Sequence, residues 1–296
     1  MRQHLLLTDL NYRPAIFYSF SWAQNPNWTS FHPEGKEIVR YLQGVCEDYR
    51  IVDKIQLNTD VKECRWIEKE GIWDITLLHM ANGAGDLSAH ERQQKLNEQG
   101  PEPVYLHEEK IKAKVVVSAV GALVEPKLWP DSIPGKDKFQ GEIFHSARWK
   151  YDVDLKDKDV VVVGTGCSAA QFVPTLPNEY GAKSVTQIMR SPPWVVPRPQ
   201  PLGGEESWAE WGPWLNNNIP GFRAGLRFMI FAGAEYDWRL FGTGEFSKKE
   251  RAKLEADLIA HMKKTVPQKY WEILTPNYGV GCKSTIFNYF LHAISV

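Results

Sequence analysis

Residues 164–169 read Gly-Thr-Gly-Cys-Ser-Ala and directly follow the run Asp159-Val160-Val161-Val162-Val163. This is GxGxxA after an apolar strand and at the start of a helix, the arrangement that cradles a dinucleotide. Gly164 permits the tight turn, Gly166 lets the backbone approach a pyrophosphate, and Ala169 lets helix and strand pack closely. The start of the helix adds amide donors and a positive dipole end. The alternative is a glycine turn in an ordinary α/β protein with no ligand.

The end of the next strand decides which nucleotide. An acid about 20 residues on pairs with a ribose hydroxyl, whereas an arginine takes a 2′-phosphate. Arg190 stands 21 positions after Ala169, in Met189-Arg190-Ser191, and no acid ends this strand. A guanidinium is a permanently charged, two-pronged phosphate clamp. The expectation is therefore NADPH, with a solvated charge at a strand end as the alternative for Arg190. A second glycine cluster, Gly83-Ala84-Gly85-Asp86-Leu87-Ser88, is a decoy. Asp86 would face the phosphates, and SAHERQQKLNEQ beyond it has almost no apolar face, so a polar loop is predicted.

The elements around these residues follow from periodicity. EGKEIVRYLQGVCEDY (34–49) is an amphipathic helix with Ile38, Tyr41, Leu42 and Val45 on one face. KIQLNTDV (54–61) predicts a strand, CRWIEKEGIWDITLLHM a hairpin turning at Glu70-Gly71, and residues 82–103 a polar surface excursion. IKAKVVVSAVGAL (111–123) predicts a buried strand. From 159 a βαβ pattern begins, with a helix cut short by Pro174 and a second strand over 184–190. Residues 191–220, rich in Pro, Trp and Gly, predict a long ordered loop, and helices are predicted over 222–240 and 247–265.

Composition sets the outer bounds. The 296 residues carry a net charge of −1, so no basic excess points to nucleic acid. The four cysteines, Cys46, Cys64, Cys167 and Cys282, are scattered without a CxxC pair, which excludes a zinc or disulfide framework and fits a reducing cytoplasm. MRQHLLLTDL is too short and polar for a signal peptide, and no apolar run is long enough to span a membrane. GFRAGLRFMIFAGAEYDWRLFG (221–242) mixes arginines with an apolar face. It is read as a cap on the nucleotide domain or a substrate entrance, with membrane-surface contact the less favoured alternative.

Phe139-Gln140-Gly141-Glu142-Ile143-Phe144-His145-Ser146-Ala147-Arg148-Trp149 spells FxGxxxHxxxW just ahead of the strand feeding the glycine turn. This resembles the fingerprint of Baeyer–Villiger monooxygenases, within the flavin-containing monooxygenase class. FYSFSWAQNPNWTSFHPEGKEIVRYLQGV, SAVGALVEPKLWPDSIPG, IMRSPPWVVPR and YGVGCK agree with it, over about residues 15–284. The resemblance implies an α/β fold: a Rossmann-like NADPH domain, 151–296, plus an incomplete FAD-binding domain with a β-meander, 1–150. It implies that FAD and NADPH together insert an oxygen atom from O2 beside a ketone carbonyl, giving an ester or lactone. It also implies NADP contacts from Thr165, Gly166, Cys167, Ser168, Ala169, Ala170 and Gln171, with Arg190, Ser191 and Lys283 around the 2′-phosphate. Val61 would touch the flavin adenine through its backbone, and Tyr18 would lie near FAD. His145 would act as a hinge that positions NADP, with a satisfied interdomain histidine as the alternative.

The chain departs from that pattern in places. Lys150 follows Trp149 where the fingerprint continues with Pro or Asp. The arginine expected after the lysine of the Cys-Lys dipeptide is replaced by Ser284, so no catalytic residue is assigned. No valine-rich strand with its own glycine turn precedes residue 15, and the strands that would complete the FAD domain do not follow 284. A shortened or degenerate copy is therefore the second expectation: a catalytically inactive NADPH-binding fragment with weak FAD binding or none. A disulfide-reductase-like flavoprotein would need a redox cysteine pair that the spacing does not offer. The N-hydroxylating branch of the class also stays open.

Overall fold

The computed structural model describes residues 14–121, 125–127, 129–130, 132–281 and 286–287. Its contacts divide the chain into two compact units, 46–149 and 14–45 together with 150–281.

The first unit is built on an antiparallel meander of β1 (Thr59–Ile67), β2 (Ile72–Met80) and β3 (Tyr105–Ala113). Gly71, at φ +62°, closes the β1–β2 hairpin where the sequence predicts it. Trp66 and Trp73 face each other across that pair with ring centroids 5.5 Å apart. The central strand carries the buried side chains Ile75, Thr76 and Leu77.

Three expectations change here. The first strand begins at Thr59 rather than 54, because residues 52–54 form a 3-10 turn. The polar excursion contains a helix, α2 (Ala89–Gln99), begun by a capping box in which the Ser88 hydroxyl accepts from the Glu91 amide and the Glu91 carboxylate accepts from the Ser88 amide. None of its residues is buried, as its polarity requires. Residues 115–120 are not a strand, and Val115 and Val117 are 74% and 82% exposed. An all-apolar strand needs partners on both edges and cover on both faces, and the described residues supply neither.

In the second unit, α1 (Gly35–Asp48) starts from a loop that its own side chains hold, and its last residues run into the first unit. The Glu37 carboxylate accepts from the Thr29 amide and hydroxyl at 2.8 and 2.7 Å. The Tyr41 hydroxyl accepts from the Phe20 amide and donates to the Ala23 carbonyl.

The βαβ region follows the sequence closely: β4 (Asp159–Val163), α3 (Cys167–Phe172), α4 (Thr175–Asn178) and β5 (Ser184–Ile188). Pro174 separates the two short helices, since it cannot donate to the ladder. β4 and β5 pair in parallel, from Asp159↔Ser184 to Val163↔Ile188. Among the described residues only one face of β4 is covered: Val162 is buried, while Val161 and Val163 are 60% and 69% exposed. Among the described residues β4 therefore has one open face and one hydrogen-bonded neighbour, β5.

β6 (Val195–Val196) pairs in parallel with β7 (Ile286–Phe287). Between β6 and β7 come α5 (Gly204–Asn218), α6 (Phe222–Tyr236), α7 (Glu245–Thr265) and α8 (Trp271–Leu274). Half of the predicted loop over 191–220 is thus the helix α5, which tolerates Pro213 in its interior. Gly212 suits this helix because the Trp208 ring lies over it, and an added Cβ would meet that ring at 2.7 Å.

Contacts distant in sequence draw 14–45 to this unit. Arg227 donates to the Ile16 carbonyl, and Phe31 meets Trp208 edge-on at 5.1 Å. The His32 ring nitrogen Nδ1 lies 2.5 Å from the Glu205 carboxylate. These long-range contacts are the reason residues 14–45 cluster with 150–281 rather than with 46–149.

Candidate nucleotide site

The site is assembled at the C-terminal ends of two parallel strands. Asp159 fixes the other end of the ladder: its carboxylate accepts from the Ser184 hydroxyl at 2.6 Å and lies 3.4 Å from the Lys183 ammonium. These partners, Ser184 first, hold its pKa below the usual carboxylate value. At the functional end, Gly164 donates to the Ile188 carbonyl at 2.9 Å. The Gln187 side-chain amide donates to the Gly164 carbonyl at 2.7 Å. Strand pairing therefore continues one residue past β4, and a neighbouring side chain fixes the turn.

The two glycines serve different ends. Gly164 sits at φ +114°, a conformation that L side chains rarely adopt, so backbone geometry alone demands glycine. Gly166, the residue before α3, has φ −77° and ψ −178°, open to any residue. A Cβ added to Gly166 would meet nothing within 4 Å. Nothing inside the described chain requires glycine there; the bare backbone faces open space, as close approach by a phosphate requires. The residues present thus fit a bound dinucleotide.

The other predicted contacts are placed as follows. Thr165 is half-buried, and Gly166 and Ser168 are exposed. Ala169 and Ala170 are buried, Ala170 fully, and Cys167 packs toward the cluster of Ala170, Val195, Met262, Val266 and Leu274. The Ala170 and Cys167 side chains fasten α3 to α7 and α8. Gln171 is half-buried. Arg190 is exposed two residues beyond Ile188, at the same edge as the glycine turn, and forms no ion pair among the described residues. Ser191 follows it, half-buried. Lys283 and Ser284 lie outside the described residues.

The remaining candidates stand elsewhere in the chain. Tyr18, half-buried, closes a 3-10 turn in the second unit, its amide bonded to the Ala15 carbonyl at 2.9 Å. Val61 is 61% exposed on β1 in the first unit, beside the strand irregularity between Val61 and Glu63. His145, also in the first unit, caps a 3-10 turn, its Nδ1 accepting from the Ala147 amide at 3.1 Å. A neutral ring with Nδ1 as acceptor carries its proton on Nε2. Gln187 was not singled out from sequence; its alternation with Val185 along the strand is the only signal that could have marked it.

Comparison with known proteins follows the same outline. Residues 94–204 match the family described as Flavin-binding monooxygenase-like. The chain is 30% identical over 278 residues to the FAD-binding monooxygenase ktnD of Aspergillus niger, covering 93% of this chain and 41% of that protein. It is 30% identical over 274 residues to a Baeyer–Villiger monooxygenase of Pseudomonas aeruginosa, covering 92% and 44%. The solved cyclohexanone monooxygenase from Rhodococcus sp. Phi1 bound to NADP+ superposes with a TM-score of 0.62 at 20% identity, covering 96% of this chain and 54% of that one. The chain thus spans less than half the length of the curated relatives it matches. By sequence it is a homologue of the flavin-binding monooxygenases, Baeyer–Villiger monooxygenases among them, and by fold it has the α/β architecture of their solved structures.

Proposed function

We propose that this chain binds NADPH across its glycine turn as part of a flavin-dependent monooxygenase of Baeyer–Villiger type, acting with FAD and molecular oxygen on a small ketone to give an ester or lactone. The observation that carries the nucleotide reading is Gly166, bare backbone facing open space where no internal contact asks for glycine. Homologues carrying the Baeyer–Villiger name support the reaction class. When bound, NADPH and FAD supply the electrons and the oxygen activation, one oxygen atom entering the ketone and the other leaving as water.

The chain's own residues bind and orient. The backbone of 164–171 faces the pyrophosphate, and the Arg190 guanidinium, with Ser191 and Lys283, takes the 2′-phosphate. His145 offers an Nε2 proton and acts as a hinge that positions NADP. In this functional division 151–296 is the NADPH domain, and 1–150 contributes the FAD contacts Tyr18 and Val61. No helix among the described residues is long and apolar enough to cross a membrane. We place the protein in the cytoplasm on its scattered cysteines, with α6 as cap or substrate entrance and no nucleic acid partner.

Calorimetry of the purified chain tests the cofactor reading. NADPH is expected to bind more tightly than NADH, and Arg190→Ala to weaken NADPH about tenfold or more while leaving NADH unchanged. No heat of association with NADPH would overturn it. A second reading, an inactive NADPH-binding chain, is favoured by one sequence feature: Ser284 stands where the resemblance places a permanently charged arginine. Ester formation from a ketone in the presence of FAD and NADPH separates the two.

A further inference from the structure

The loop that carries Arg190 and Ser191 is tied to a distant segment by a reciprocal pair of hydrogen bonds. The Trp194 indole N–H donates to the Tyr278 carbonyl at 2.9 Å, and the Tyr278 hydroxyl donates back to the Pro192 carbonyl at 2.9 Å. Trp194 is 4% exposed and packs with Leu258 and Val280. The Tyr278 segment is in turn held by α7, where the Glu255 carboxylate accepts from the Val280 amide at 2.8 Å. Pro192 and Pro193 fix their own φ angles and restrict Ser191 and Pro192 before them. A stiff stretch anchored at both carbonyl and indole thus begins two residues after Arg190.

An exposed arginine on a free loop would lose much of its phosphate affinity in ordering itself. An arginine projecting from a clamped loop has less entropy to lose. We infer that Trp194 and Tyr278 are positioning residues that set the preference for a 2′-phosphorylated nucleotide, by holding the Arg190–Ser191 loop at the sheet edge beside the glycine turn. This rests on the NADPH reading above. The pyrophosphate contacts at 164–171 are shared by both nucleotides and lie outside the clamp, so its loss acts on the 2′-phosphate alone.

The experiment measures NADPH and NADH dissociation constants for the wild-type chain, Tyr278→Phe, Trp194→Phe, Arg190→Ala and the Tyr278→Phe/Arg190→Ala double variant. Tyr278→Phe removes one hydroxyl and leaves the ring. It is expected to weaken NADPH about fivefold, the size of one neutral hydrogen bond. NADH affinity should be unchanged, and the effect should vanish when Arg190 is already alanine. Trp194→Phe is expected to act in the same direction. A merely structural role would move both nucleotides equally. Equal changes for the two nucleotides, or no change, would overturn the clamp while leaving the cofactor reading intact. A wild-type chain without preference for NADPH would overturn both.

Discussion

Gly166 gives the cleanest separation between folding and binding. Its backbone angles suit alanine and a Cβ has room, so Gly166→Ala is expected to leave the melting temperature unchanged. The same methyl would stand where a pyrophosphate approaches, so NADPH affinity is expected to fall about tenfold or more. Retained affinity would place the phosphates elsewhere. Gly164→Ala should behave differently: at φ +114° it is strained and is expected to cost about 1–3 kcal/mol of stability, read by thermal or denaturant unfolding. Sequence named both glycines and gave them different parts, a tight turn at Gly164 and close approach at Gly166; the structure adds the positive φ at the first and the open space at the second. Arg190 was legible for a local reason: strand and helix lengths fix how far it lies from the turn. Gln187 was not, because only the parallel register brings its amide to the Gly164 carbonyl.

Among the elements, those whose signals are local came through. α1, the β1–β2 hairpin, β4, the break at Pro174, β5, α6 and α7 all follow from periodicity, a glycine turn or a proline. α5 did not, since Pro213 and its glycines read as loop while Trp208 closing over Gly212 is a contact made by the helix itself.

The start of α5 also carries a testable electrostatic contact. The His32 side chain is fully buried, with Nδ1 2.5 Å from Glu205, whose carboxylate also lies 3.6 Å from Arg198. Burial pushes the His32 pKa down, and the hydrogen bond that the ring donates to the Glu205 carboxylate opposes this only in part. The folded ring stays neutral where the unfolded chain protonates, near pH 6.5. Its contribution to stability is therefore present above that pH and is lost as pH falls below it. The melting temperature is expected to drop between pH 7 and pH 5 by more in the wild type than in His32→Gln. Equal slopes would show that His32 takes up its proton without unfolding.

At the scale of the whole molecule, a nucleotide that binds only the folded chain raises its stability by mass action. NADPH at a hundred times its dissociation constant is expected to add about 2.7 kcal/mol, seen as a rise in melting temperature. NADH at the same concentration should add less, and the difference should disappear in Arg190→Ala. No shift with NADPH would show that the folded chain does not hold the nucleotide.

The sequence by itself determined the strand–glycine–helix turn at 159–172, the arginine just past the next strand and the β1–β2 hairpin ahead of them. Each is written in neighbours a few residues apart, where strand and helix periods and backbone sterics act directly. Only the tertiary structure decided that residues 14–45 pack with 150–281, that α5 is a helix meeting His32, and that Tyr278 clamps the loop after Arg190. Those contacts join residues 84 to 211 positions apart. No periodicity reaches that far; side-chain shape, burial and paired polar groups select them once the chain has folded.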